Sequence, residues 1–596
     1  MLTYTPPLRD FRFVLHHLIG LHDIAALPGF EHMESDVVDA LLDEAGKFLS
    51  EVWAPLNRPG DEAGIRFADG EVELPEGFVD AYRAMTEGGW NAVPFPDEWG
   101  GGDVPWTVVT ALQEMMDAAN ASLSMAPGLT WAVIDGLLDW GTPEQQATYL
   151  PKLVSGEWAG TMNLTEAQAG SDVGALTAKA VPAGDGTWRL QGTKIYISWG
   201  DHDATDNIIH LVLARTPDSP PGTKGISMFI VPKFLVNPDG SCGDRNDVVT
   251  VSVEHKLGIH ASPTCLLEYG GQSDGAVAYL IGPERGGMKA MFTMMNNARI
   301  GVGVSGVALG DLAYQAARAY AMERVQGRPV EGERGDPIIG HADVRRMLMT
   351  MKAYIEASRA LVFATAAAVD RARRLEDEDA RTAALLRADL LTPVAKAWPT
   401  DLASTVASLA MQVFGGMGYI EETGVAQVYR DARISSIYEG TNGIQAIDLV
   451  GRKLPSAAGA AVMAFIADIS ELLGELEAAG DDFGSIHAAL AAALGQLQQA
   501  TGWLAANGME DPNEALAGAT PYLEMFGLVA GGYYLARSAV IARDLMEAGG
   551  ADASFLEAKI VTARFYCEQL LPRTAGLAPA VMAGKRDLFA LDPGQF

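Results

Sequence analysis

Trp188-Arg189-Leu190-Gln191 and Lys194-Ile195-Tyr196-Ile197 open a series of short strand-like runs. It continues through Ile208-Ile209-His210-Leu211-Val212-Leu213, Ile226-Ser227-Met228-Phe229-Ile230-Val231, Val249-Thr250-Val251-Ser252-Val253 and Val277-Ala278-Tyr279-Leu280. β-Branched and aromatic residues dominate these runs, and Asp185-Gly186 and Pro220-Pro221-Gly222 supply turns between them. The pattern predicts a compact antiparallel β domain over residues 158–283. On both sides the apolar period changes to that of a helix. Val37-Val38-Ala40-Leu41-Leu42 and Val108-Val109-Leu112-Met115-Met116 place a helical domain over 35–157, preceded by an extension, 1–34. After Gly286-Gly287 the helical period returns through Met347-Leu348-Met349 and Ile355-Leu361-Val362-Phe363, giving a helical bundle over 284–455. Pro455 marks a boundary, and the Ala-rich segment 456–596 reads as a further helical module. The fold class is therefore α+β, mostly α. Segregated strands and helices exclude a doubly wound sheet. Gly415-Gly416-Met417-Gly418 follows a helical stretch and not a strand, so it is no dinucleotide fingerprint.

Composition narrows the function classes. The 43 Lys and Arg residues against 76 Asp and Glu leave a net charge of −33 over 596 residues. Such a chain repels nucleic acid and anionic lipid on average, so a phosphate ligand must be met by local Arg, hydroxyl or backbone N–H groups. Cys242, Cys265 and Cys567 form no CxxC pair, which points away from a disulfide framework or thiolate zinc site and toward a reduced, cytoplasmic setting. None of the 10 histidines has a partner at metal-ligand spacing, and no metal is expected. The N-terminus lacks the uninterrupted apolar stretch of a signal peptide. No window approaches 18 uninterrupted apolar residues, so no membrane span is expected.

Five segments carry the chemistry. Leu164-Thr165-Glu166-Ala167-Gln168-Ala169-Gly170-Ser171-Asp172 is a polar loop of small residues with free backbone amides. Lys194–Gly200 is a strand with an aromatic and a hydroxyl. Lys256-Leu257-Gly258-Ile259-His260-Ala261-Ser262 is a glycine-bearing loop. Arg324-Val325-Gln326-Gly327 and Gln412-Val413-Phe414-Gly415-Gly416-Met417-Gly418-Tyr419 combine a phosphate-pairing guanidinium with glycines that let N–H groups approach. The fifth and most specific is Ile437-Tyr438-Glu439-Gly440-Thr441-Asn442-Gly443-Ile444-Gln445.

Together, in this order over most of 35–455, these segments resemble the acyl-CoA dehydrogenase family. The resemblance implies FAD as cofactor. Leu164 and Thr165 then bond the flavin pyrimidine edge, Ser171 contacts cofactor or CoA phosphate, Tyr196 stacks on the ring and Ser198 donates toward N5. Arg324, Gln326, Gln412, Gly415 and Gly416 clasp the pyrophosphate and adenosine across a homodimer, and Thr441 and Asn442 also touch FAD. Glu439 is the catalytic base, with Gly440 leaving it room to reach the substrate and Tyr438 a further substrate contact. Some relatives carry the base at the position of Ala298, which cannot accept a proton; Asn296 and Arg299 nearby read as CoA contacts. The sequence departs from the family at Asn163, Trp199, His260, Gly327 and Gln427.

A thioester α-hydrogen is too weakly acidic to leave at neutral pH unless the developing enolate is stabilised by donors aimed at the carbonyl, and the base must lie within hydrogen-bond reach. The implied reaction is α,β-dehydrogenation of an acyl-CoA, with an electron-transferring flavoprotein as acceptor. An oxidase passing electrons to oxygen, and the DNA-associated alkylation-response branch, are the alternatives; the net charge disfavours the second. The terminal segments, including Tyr4-Thr5-Pro6-Pro7-Leu8-Arg9-Asp10, resemble a large bacterial subgroup, and 3-methylmercaptopropionyl-CoA is the expected substrate ahead of fatty acyl-CoAs.

Overall fold

The computed structural model describes residues 3–549 and 552–596, without the side chains of Phe292, Thr293, Met294, Asn296 and Asp481. The chain forms two compact units. One comprises Glu44–Val104 and Met115–Gly301; the other comprises the N-terminal residues up to Asp43, Pro105–Glu114 and Val302–Phe596.

In the first unit an eight-stranded sheet is the centrepiece. The path into it is written locally. Thr142 and Gln145 form a reciprocal capping box, Pro143 opens the helix Pro143–Ser155, and Gly156 closes it in left-handed backbone. The chain then enters the strand Trp158–Asn163, buried along its whole length. Across the sheet the order is Val248–Val253, Thr264–Tyr269, Trp188–Ser198, Ala276–Ile281, Ile226–Pro232, Asn207–Arg215 and Trp158–Asn163, with Lys179–Pro182 alongside Trp188–Ser198. Every expected run is a strand, but the first two are one continuous strand, Trp188–Ser198. The expectation of a purely antiparallel domain is corrected at one edge, where Trp158–Asn163 runs parallel to Asn207–Arg215. The intervening Lys179–Pro182 and Trp188–Ser198 provide the crossover that parallel pairing requires. Val212, Phe229, Leu190 and Leu267 form the sheet core.

The second unit is helical. Ala342–Arg374 and Glu378–Phe414 pack along each other, and Ala519–Glu547 packs on both. The described part of the N-terminal extension, residues 3–34, contains short helices that bury Phe11, Phe13 and Leu15. Among the described residues, three helical segments are long and apolar enough to cross a membrane by length and composition, although none of the three is an uninterrupted apolar run. Trp106–Trp140 and Ala519–Glu547 are mostly buried within the protein, whereas Ser456–Ala478 is one-third buried.

Candidate active site

The first two motif segments share the β-containing unit and are bonded directly. The Ile195 amide donates to the Thr165 carbonyl at 3.0 Å, laying the loop along the strand Trp188–Ser198. Behind it Lys194 and Glu166, both buried, pair at 2.8 Å. Lys194 Nζ also donates to the Leu164 carbonyl at 3.0 Å, and Glu166 accepts the Thr177 and Ala178 amides at 2.7 and 3.0 Å. Burial opposes the Glu166 charge, but Lys194 and the amide donors outweigh it and hold the carboxyl down at about 2. Lys194 was not singled out from the sequence; a lysine inside a strand run was the available signal, because an interior ammonium needs a partner.

Between Lys194 and Ile197 the register against Thr264–Tyr269 slips by one residue. Tyr196 absorbs the extra residue in left-handed backbone, φ 60°, and is 61% exposed. A strand tyrosine normally joins the core, whereas this one presents a flat aromatic surface outward. Ser198 ends the same strand, half-buried; Leu164 and Thr165 are half-buried, and Ser171 is exposed.

Three of the departures from the family pattern have local explanations. Trp199 is fully buried, and its Nε1 donates to the Ser122 carbonyl at 3.1 Å, pinning the end of the strand to the helix Trp106–Trp140. Asn163 accepts from the Tyr269 hydroxyl at 2.8 Å and donates to Thr161 Oγ1 at 2.8 Å, which bonds His210 Nδ1 at 2.6 Å. His260 faces Asp61 at 2.8 Å and the Lys256 carbonyl at 3.0 Å, tying its loop to the helix Ala54–Ala63. Arg299 is buried on the helix Gly287–Glu323; the side chain of Asn296 lies outside the described residues. Its neighbour Asn297 donates to Asp135 at 2.6 Å, a contact the sequence did not suggest.

The other two segments belong to the helical unit. Tyr320 and Phe414 stack at 4.2 Å, bringing the chain before Arg324 beside the chain before Gly415. Arg324, Gln326, Gln412, Gly415 and Gly416 are all exposed. Arg324 donates to Gln326 Oε1 at 3.4 Å, and a Cβ at Gly415 or Gly416 would meet nothing within 4 Å. Around them Met322, Val325, Met417, Tyr419 and Ile420 are exposed, with Tyr419 at 86%.

Glu439 sits between the turn Arg433–Ser436 and the helix Asn442–Asp448. It adopts φ 56° and Gly440 φ 84°, two successive left-handed residues, the first without glycine's freedom. Thr441 caps the helix, accepting from the Ile444 amide at 3.2 Å. Asn442 donates to Asp401 at 2.7 Å, and the buried Gln445 donates to the Gly440 carbonyl at 3.3 Å. Glu439, Tyr438 and Gly440 are half-buried. The donor chemistry suits FAD. Tyr196, Thr165 and Ser198 match a flavin face and edge; Arg324, the glutamines and the open glycines match a pyrophosphate.

Family models match almost end to end: acyl-CoA dehydrogenase N-terminal domain over residues 35–157, middle domain over 161–270 and C-terminal domain over 285–454, then an acetyl-CoA dehydrogenase C-terminal-like domain over 460–592. The chain is 46% identical over 572 residues to 3-methylmercaptopropionyl-CoA dehydrogenase of Ruegeria pomeroyi, covering 96% of each chain. It is 35% identical over 616 residues to a broad-specificity linear acyl-CoA dehydrogenase of Mycobacterium tuberculosis, covering 100% of each. Among solved structures it resembles, in fold, an acyl-CoA dehydrogenase complexed with FAD from Bacillus anthracis, with a TM-score of 0.75 at 20% identity over 94% of this chain and 90% of that one.

Proposed function

We propose, from the premise that the chain belongs to the acyl-CoA dehydrogenase family, that it oxidises 3-methylmercaptopropionyl-CoA to the 2-enoyl thioester with Glu439 as the base. The observation that carries the reading is the Glu439–Gly440 pair, held in left-handed backbone at the head of a short helix. Strain of this kind persists where the surrounding structure demands it, and such places are often functional.

Glu439 accepts the α-hydrogen as a proton. Gly440, having no side chain, leaves room beside that carboxylate, and Tyr438 lines the same stretch. Bound thioester excludes water around Glu439, which disfavours the carboxylate and makes it a stronger base. Leu164, Thr165, Tyr196 and Ser198 hold the flavin; Arg324, Gln326, Gln412, Gly415 and Gly416 hold its pyrophosphate and adenosine; Thr441 and Asn442 lie on the same loop as the base. When bound, FAD supplies the acceptor for the β-hydride. Ser171 and Arg299 contact the CoA moiety. The exposed apolar residues around Arg324 and Gly415 suit a homodimer interface. An electron-transferring flavoprotein takes the electrons, in the cytoplasm.

Glu439→Gln tests the base. The variant should keep its yellow flavin and bind acyl-CoA while losing roughly 10²–10⁴-fold or more in anaerobic flavin reduction. Near-normal reduction would remove Glu439 from the role. Turnover across 3-methylmercaptopropionyl-, butyryl- and palmitoyl-CoA tests the substrate: the highest kcat/KM should fall on the sulfur-containing thioester, and a flat profile or a palmitoyl optimum would reassign it.

A further inference from the structure

Ser435 and Asn442 stand at the two feet of the loop that carries Glu439. One side chain reaches both. Lys396, fully buried on the helix Glu378–Phe414, donates from Nζ to the Ser435 carbonyl at 2.9 Å and to Asn442 Oδ1 at 2.8 Å. Asn442 returns to the same helix, donating through Nδ2 to the Ala397 carbonyl at 3.0 Å and to Asp401 Oδ1 at 2.7 Å. An ammonium is costly to bury unless it is well bonded, and charge-assisted bonds are the strongest and most directional available. Here two of them close on the ends of a loop whose middle, Glu439 and Gly440, holds φ values of 56° and 84°. The local sequence does not favour that backbone at a glutamate, so something outside the loop must hold it.

We propose that Lys396, acting with Asn442, is a positioning residue for the reaction: it fixes both feet of the loop and so keeps the Glu439 carboxylate where it meets the α-hydrogen. The inference rests on Glu439 being the base. A base displaced by about 1 Å can lose about 10²-fold in rate without any change in substrate affinity, and this sets the expected signature.

The test uses full-length, FAD-loaded protein with the substitutions Lys396→Met, Asn442→Ala and Glu439→Gln. Anaerobic rapid mixing with 3-methylmercaptopropionyl-CoA gives a limiting rate of reduction per bound flavin and a half-saturating concentration. In both brace variants the limiting rate should fall by about 10–10²-fold with half-saturation moved by less than about threefold. Amide hydrogen exchange over residues 435–442 should quicken, with flavin present or removed. A purely structural role would lower flavin content or melting temperature and leave the rate per bound flavin unchanged; that result, or unchanged exchange, overturns the proposal. If Lys396→Met does not fold, Asn442→Ala decides alone by the same criteria. If instead Glu439→Gln reduces flavin at the wild-type rate, the assignment of the base has failed, and the brace loses its object.

Discussion

At the scale of single residues, three of the positions where this chain departs from its family, Asn163, Trp199 and His260, are paired within the fold. Asn163 stands fully buried with its amide shared between Tyr269 and Thr161. Removing one partner is costlier than never having the pair, because an acceptor is then left dry. Tyr269→Phe should therefore destabilise the protein by about 1–3 kcal/mol, read by urea unfolding. A smaller loss with Asn163→Ala;Tyr269→Phe than the sum of the singles would confirm the coupling, and strict additivity would deny it. Tyr196 shows the converse. Its type and strand context predict a core residue more readily than a cofactor platform, and the one-residue bulge that turns it outward is a property of pairing with Thr264–Tyr269. The motif around Glu439 stands out in the sequence because its neighbours are distinctive; the left-handed backbone there and the Lys396 bonds to its loop do not, since Lys396 lies on a different helix.

At the scale of elements, the C-terminal module is built into the bundle. The helix Ala519–Glu547 receives Trp398 of the helix Glu378–Phe414, and a Cβ at Gly527 would stand 2.3 Å from the indole Cγ. Trp398 is itself buried, with Tyr354 edge-on at 6.4 Å, so the ring has little space to yield. Gly527→Ala gains helix propensity yet overpacks this contact. The net effect should be a loss of about 1–3 kcal/mol, measured by denaturant unfolding. A neutral or stabilised variant would show that the indole can move aside. Lys559 ties three parts of this unit, pairing with Glu356 at 3.1 Å and with Asp10 of the N-terminal extension. The composition of residues 456–596 announced helices; that one of them carries a glycine socket for a bundle tryptophan could not be read without the packing.

At the scale of the whole molecule, acid should weaken the β-containing unit before the carboxylates alone would. Burial, aided by Lys233, depresses both His202 and His210 from the ordinary 6.5 to about 3, so the native state keeps them neutral. Below pH 6.5 the unfolded chain takes up protons that the folded chain refuses, and stability falls as pH falls toward 3. Glu166, ordinarily near 4.5 and held at about 2, adds a loss of the same sign from about pH 4.5 downward. Thermal melts should therefore show a falling Tm between pH 7.5 and 5, and His210→Asn should flatten that slope. A slope left unchanged by His210→Asn would contradict neutral burial of that ring.

Periodicity, turn residues and five ordered motifs, all local in the chain, were enough to determine the alternation of helical and β segments and the class of reaction. Tertiary structure alone decided the parallel edge strand, the outward Tyr196, the Lys194–Glu166 pair and the Lys396 brace. The division has a physical cause. Backbone preference and hydrophobic period act between near neighbours, whereas the bonding of a buried charge and the register of a strand depend on residues that become neighbours only when the chain has folded.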